Sequence, residues 1–178
     1  MRSRSKSVIQ AASGSLFLPG FLPIYGFARR KFDAMRLLGG DGMAVRILIA
    51  DDDRTIRHLL RRILEERPGW EVCGEAANGN DAVAQTEQLA PDLAIIDLAM
   101  PDKNGIEAAR EIFAQSPLTA MLLLTVQEVS AELARAAREA GFRGAVTKAS
   151  GSEVVTAVET LLGKGTFFAI EGSAGAPN

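Results

Sequence analysis

Leu93-Ala-Ile-Ile-Asp97, preceded by Pro91-Asp92 and followed by Leu98-Ala-Met-Pro101, is a short apolar run closed by an acid. Three other runs have the same form. Ile47-Leu-Ile-Ala50 ends on Asp51-Asp52, Met121-Leu-Leu-Leu124 on Thr125, and Gly144-Ala-Val-Thr147 on Lys148. Apolar runs of this length between helical stretches suit strands buried on both faces of a parallel sheet. In such sheets the working site lies beyond the carboxyl ends of the strands, where strand order reverses. Three carboxylates, a hydroxyl and an ammonium are therefore expected in one cleft, a mixture suited to a divalent metal ion and a phosphoryl group.

Working outward from these runs, strand and helix patterns alternate from Arg46 onward. Ile56, Leu59, Leu60, Ile63 and Leu64 are spaced as one face of an amphipathic helix, with Asp53 as its cap and Pro68-Gly69 beyond its end. A strand over Trp70–Ala76 leads through Asn78-Gly-Asn80 to a helix over Asp81–Leu89. Asn104-Gly105 starts a helix through Phe113. An Ala-rich helix over about Ser130–Ala140 closes on Gly141. Ser150-x-x-Glu153 reads as a capping box before a helix with Val154, Val158, Leu161 and Leu162 on one face. These patterns predict an α/β domain built on a doubly wound, five-stranded parallel sheet with helices on both faces.

Composition agrees with a globular domain. Hydrophobic residues make up 47 % and charged residues 24 % of the 178. The single cysteine, Cys73, excludes an internal disulfide and fits a reducing compartment, so a cytoplasmic location is expected. Cys73 lies in a strand pattern and reads as an inert, buried thiol. The single histidine, His58, reads as a surface residue, which leaves no histidine-based metal site.

Charge is divided unevenly. Residues 1–42 carry seven Lys/Arg against Asp33 and Asp41, whereas residues 43–178 carry a net −7. An acidic body argues against non-specific nucleic-acid binding by the domain itself. The apolar stretch within 13–27 is too short to span a bilayer, which needs about 20 residues, although an interfacial anchor of Phe and Arg has the right chemistry. The preferred expectation is that residues 1–42 are an extension, disordered or not translated natively, and that synthesis starts at Met43. Met43-Ala-Val-Arg46 is a natural beginning for the first strand, and Gly39-Gly-Asp-Gly42 would have the purine-rich codons of a ribosome-binding stretch. The domain is expected over 43–165, with a flexible tail over 166–178.

Ile47-Leu-Ile-Ala-Asp-Asp-Asp-Arg54, Pro91-Asp-Leu-Ala-Ile-Ile-Asp-Leu-Ala-Met-Pro101, Leu124-Thr125 and Ala140-Gly-Phe-Arg-Gly-Ala-Val-Thr-Lys148 together resemble the receiver domain of bacterial response regulators. The resemblance covers about residues 45–165 and implies a flavodoxin-like fold with strand order 2-1-3-4-5. It implies that Asp97 is the phosphoacceptor, attacking a phosphoryl group carried by a kinase histidine to form an acyl phosphate. Asp51, Asp52, Asp97 and the backbone carbonyl of Ala99 would hold Mg²⁺, a hard cation that favours oxygen ligands. Lys148 would balance the acidic charge and contact a phosphoryl oxygen, Thr125 would donate its hydroxyl to the phosphoryl group, and Pro101 would shape the loop beyond Asp97.

Each residue also has an ordinary reading. Asp51–Asp53 could serve a helix start, Thr125 could be a plain β-former, and Lys148 could be a solvated charge. Asp97 resists such a reading, because an acid ending an Ile-Ile run is costly to bury unpaired.

The pattern departs from the family at two places. Receivers commonly carry an aromatic three residues before the lysine, where this chain has Ala145. Gly163-Lys-Gly-Thr-Phe-Phe-Ala169 resembles the end of receivers that precede a LuxR-type helix-turn-helix output domain, yet only nine residues follow. The function implied is a stand-alone response regulator, a phosphoacceptor rather than an enzyme. It would be phosphorylated by a sensor histidine kinase or phosphotransfer protein, with a downstream protein partner and possible homodimer contacts after the fourth and fifth strands. The alternative is an adaptor independent of phosphorylation, a reading that Ala145 favours. A phosphatase using aspartyl-phosphate chemistry would need a second acid two residues after Asp97, where Ala99 stands.

Overall fold

In a computed structural model, residues 44–170 are described; the expectations for residues 1–42, for initiation at Met43 and for 171–178 lie outside the described residues. Strands β1 (Val45–Ala50), β2 (Trp70–Ala76), β3 (Leu93–Asp97), β4 (Ala120–Thr125), β5 (Gly144–Thr147) and β6 (Phe167–Phe168) alternate with helices. The helices are α1 (Arg54–Glu65), α2 (Gly79–Leu89), α3 (Gly105–Gln115), α4 (Ala131–Glu139) and α5 (Gly151–Leu162). All strand pairs are parallel, in the order β2-β1-β3-β4-β5-β6. The flavodoxin-like α/β fold is thus present, with the order reversing between β1 and β3.

Strand side chains alternate between two cores. Ile47, Ile49, Ile95, Leu122, Leu124 and Val146 face Leu60 and Leu64 of α1 and Val154, Val158 and Leu161 of α5. Leu48, Ile96, Met121, Leu123 and Ala145 face α2, α3 and α4. Every residue of β3 and β4 is buried, as expected of central strands sandwiched between helix layers. Each fully buried Leu or Ile stabilises the fold by roughly 1.5–3 kcal/mol against its exposed state.

The sheet differs from expectation at its edge. β6 lies in the stretch assigned to a flexible tail: Phe167 pairs with Gly144 and Phe168 with Ala145. Two residues are too few to produce a strand period, so the pattern of the sequence could not reveal them. Their position is set by the end of α5. There Lys164 takes a left-handed conformation (φ 69°), and the Gly165 and Lys164 amides donate to the carbonyls of Thr160 and Leu161. That pair of bonds is a Schellman closure, which turns the chain back along β5.

Two local expectations also change. The Ser150-x-x-Glu153 box is absent: Ser150 makes no side-chain cap bond, its ψ of 83° departing from the extended value of the other caps. A capping box forms instead at α3, where the Asn104 side chain accepts from Glu107 N–H and the Glu107 side chain accepts from Asn104 N–H. On α1, Leu59 is 48 % exposed, at the edge of its apolar stripe rather than within it.

Candidate functional site

Four strand ends build the site. β1 runs out at Asp51-Asp52, β3 closes on Asp97 and β4 on Thr125, while Lys148 directly follows β5. Potential ligand oxygens of Asp51, Asp52 and Asp97 all lie within 4.8 Å of one another. Asp51 and Asp97 are buried and Asp52 is exposed, so the cluster is open to solvent on one side. A cavity of about 310 Å³ is lined by Asp52, Asp97, Ala99, Thr125, Gln127 and Lys148, among others. Every residue assigned to the site from the sequence therefore lies in or beside one pocket.

Lys148 reaches back across the pocket. Its Nζ lies 2.7 Å from Asp51 Oδ2 and 3.1 Å from Asp97 Oδ1. The first contact is an ion pair, and the buried Oδ2 has no hydrogen-bond donor among the described residues. The other Asp51 oxygen, Oδ1, accepts from Asp53 N–H at 2.9 Å.

Electrostatics follow from this geometry. Burial pushes the Asp97 carboxyl above its ordinary range; the Lys148 hydrogen bond opposes the shift and the nearby Asp51 charge adds to it. Burial works against the charge on Lys148, but its contacts with Asp51 and Asp97 outweigh that penalty and raise its pKa. Asp53 caps α1 by accepting from Thr55 N–H at 2.7 Å, and that backbone bond holds its carboxyl below the ordinary value. Thr125 Oγ1 accepts from Gln127 N–H at 3.1 Å, leaving the hydroxyl proton available to donate elsewhere.

The oxygen-rich set suits a hard divalent cation such as Mg²⁺. Asp51 Oδ2, buried and poorly served with donors, is the atom that such an ion would most readily satisfy. Cys73 takes no part: its thiol is half-buried, burial raises its pKa, and its Sγ contacts the Ile47 carbonyl. His58 is exposed on α1, as expected.

Supporting residues went unseen in the sequence. Arg57 Nη1 donates to the carbonyls of Asp51 at 2.7 Å and Asp52 at 3.3 Å, fixing the loop that presents both acids. The only sequence signal was its place one helical turn after the Asp53 cap. Gly105 lies so close beneath the site that a Cβ there would be 2.2 Å from the Asp97 carbonyl oxygen. A Cβ on Gly79 would likewise lie 2.1 Å from the Lys103 carbonyl oxygen. These two glycines let the loop after β3 fold tightly against its own strand and α2. Pro101 opens that loop, its carbonyl accepting from Lys103 N–H at 2.7 Å, and Asp102 next to it is left-handed (φ 66°).

Comparison with known proteins gives a consistent result. The family model described as "Response regulator receiver domain" matches residues 47–159. A LuxR-family two-component response regulator from Aurantimonas sp. SI85-9A1 superposes with a TM-score of 0.68 at 35 % identity, covering 71 % of this chain and 90 % of that one. The response regulator domain of Thermotoga maritima CheB gives a TM-score of 0.59 at 30 % identity, covering 68 % and 92 % of the two chains. A protein-glutamate methylesterase/protein-glutamine glutaminase of Treponema denticola is 36 % identical over 121 residues, 66 % of this chain but 32 % of that protein. The chain thus spans about a third of the length of the curated relatives it matches. With its Asp-rich pocket at the switch in strand order, the chain belongs to the response regulator receiver domain family of two-component signalling.

Proposed function

We propose that Asp97 accepts a phosphoryl group from a histidine of a sensor kinase or phosphotransfer protein, and that the changed surface signals to a protein partner in the cytoplasm. The observation that carries this reading is the meeting of Asp51, Asp52 and Asp97 with Lys148 in one solvent-open pocket. In the transfer, an Asp97 carboxylate oxygen forms the new bond to phosphorus while the phosphorus–nitrogen bond to the histidine breaks. Its electron pair returns to the imidazole nitrogen, and the ring, carrying its proton on the other nitrogen, leaves as neutral imidazole. Asp97 becomes an acyl phosphate.

Two anions meet in that step, so charge neutralisation is the main task of the pocket. Asp51, Asp52, Asp97 and the Ala99 carbonyl would hold Mg²⁺, which when bound supplies positive charge to the phosphoryl oxygens. Lys148, already within 3.1 Å of Asp97, exchanges part of its carboxylate contact for a phosphoryl oxygen. The Thr125 hydroxyl, its proton free of the Gln127 bond, donates to another. Asp53 and Arg57 keep the β1–α1 loop in place.

The activities in the relatives' names belong to those proteins, whose remaining two-thirds has no counterpart among the described residues. No helix among those residues is long and apolar enough to cross a membrane. Ala145, fully buried where receivers commonly carry an aromatic, favours a second reading, an adaptor indifferent to phosphorylation. Acetyl phosphate with Mg²⁺ separates the two. A mass gain of one phosphoryl group that Asp97→Asn abolishes is the expected result; Mg²⁺ binding without any mass gain would instead establish the adaptor.

A further inference from the structure

The edge strand β6 is joined to the pocket by a short route. Thr125 ends β4, its Oγ1 bonded to Gln127 N–H, and the loop continues to Val129, which is fully buried. Val129 forms a parallel bridge with Ile170, two residues beyond β6. The loop that begins at the phosphoryl pocket is thus fastened at its other end to the C-terminal segment.

That segment is itself built into the fold by specific contacts. Phe167 N–H donates to the Arg143 carbonyl and Ala169 N–H to the Ala145 carbonyl, both at 3.0 Å. The Phe168 ring packs on the core that contains Val129, Phe142 and Ala145, and the Arg138 guanidinium lies 3.9 Å over it. Gly144 permits the approach, since a Cβ there would be 2.6 Å from the Phe167 carbonyl oxygen. With only a methyl group at Ala145, the strand opposite supplies the aromatic ring that closes this side of the core.

We propose that Phe167–Ile170 is a strap coupled to the pocket through Val129, and that phosphorylation of Asp97 loosens it. The direction follows from the layout. The pocket lies at the carboxyl ends of β1, β3, β4 and β5, whereas the strap runs along the outer edge of β5 and meets the loop only at its far end, Val129. Turning Thr125 toward a phosphoryl group draws residues 126–129 with it, away from Ile170. Withdrawal of Val129 removes the strap's anchor at one end and part of the packing under Phe168. Release uncovers the hydrogen-bonding edge of β5, which Phe167–Ala169 cover in the unphosphorylated state, and frees the Arg138 guanidinium from the Phe168 ring.

The inference rests on Asp97 as phosphoacceptor, and its test separates the two. Amide exchange is followed on the full chain before and after treatment with acetyl phosphate and Mg²⁺, with intact mass recorded on the same samples. Protection of the Phe167 and Ala169 amides is expected to fall about tenfold on phosphorylation, with no change in Asp97→Asn. Full phosphorylation by mass with unchanged or greater protection at those amides overturns the strap and leaves the phosphoacceptor standing. Absence of a mass gain overturns both. A reciprocal measurement uses equilibrium binding: because coupling acts equally in both directions, Ile170→Ala is expected to bind beryllofluoride with Mg²⁺ about tenfold more tightly. Equal affinity in wild type and Ile170→Ala rules out the coupling.

Discussion

Lys148 holds together two buried acids that would otherwise repel each other, standing 2.7 Å from Asp51 and 3.1 Å from Asp97. Removing one partner of a buried pair leaves uncompensated charge, so Lys148→Met in metal-free buffer is expected to lose about 3 kcal/mol of stability. Urea unfolding should show that loss in EDTA and a smaller one in saturating Mg²⁺, since a cation can take over the neutralising role. An equal loss in both buffers would mean that Lys148 acts through packing alone. Asp97 has the opposite character. Its pKa is raised in the fold, so folding favours the protonated acid. The stability it contributes is present below the ordinary carboxyl value of 3.8 and is lost as pH rises through the raised value. At neutral pH without metal, Asp97→Asn is therefore expected to be more stable than wild type, the difference vanishing in acid below the ordinary carboxyl pKa. Paired urea titrations in EDTA check this; a wild type more stable than the variant at neutral pH contradicts it. The raised pKa of Lys148 adds a separate alkaline limb, present below 10.5 and lost above its higher folded value. The buried Asp97 carboxylate is thus a local cost to the metal-free fold at neutral pH.

Among the elements, helix starts show which signals can be read without coordinates. Asp53, followed by the spaced Ile56, Leu60 and Leu64, was legible as a cap and accepts the Thr55 amide. Ser150 carried the stronger motif, yet its backbone does not adopt the cap conformation, because the turn from Thr147 through Lys148 is shaped by the site. Asn104, read from the sequence as a helix start but not as a box, forms the full reciprocal box with Glu107. Asn104→Ala is accordingly expected to destabilise by about 1 kcal/mol. Ser150→Ala should stay within about 0.5 kcal/mol of wild type, as for a change that removes no capping hydrogen bond. Chemical denaturation of the two variants, side by side, tests the contrast; equal losses would show that both side chains cap. The central strands were legible for a different reason. Burial on both faces demands unbroken apolar runs, so Leu93–Ile96 and Met121–Leu124 stand out, and polar residues can appear only where those runs meet the pocket. Close approaches such as Gly105 against Asp97 leave no such mark. They depend on which segments fold back on each other, and a glycine by itself does not say what comes near it.

For the whole molecule, the two cores and the sheet order follow from alternation along each strand, whereas the edge depends on a few contacts too short to form a pattern. β6 belongs to that second kind: Phe167 and Phe168 are placed by the Schellman turn at Lys164 and by the space at Gly144. What such a molecule can signal depends on how long its altered state lasts. Loss of the phosphoryl group requires water to attack phosphorus in line with the Asp97 oxygen, and a carboxylate near the outer face of the pocket would deprotonate that water. The two residues that flank this approach are Ala99, which has no polar side chain, and Gln127, which carries no acid. Asp52 and Asp53 also line the cavity, but one is assigned to the metal and the other is held by its cap bond to Thr55. Self-dephosphorylation is therefore expected to be slow, with the acyl phosphate on Asp97 outlasting the removal of acetyl phosphate by far more than seconds. Intact mass followed over time after desalting into Mg²⁺ buffer measures the lifetime directly. A lifetime of seconds would show that some other group activates the water, and Ala99→Glu, which adds an acid at the flank, should shorten the lifetime by about tenfold or more.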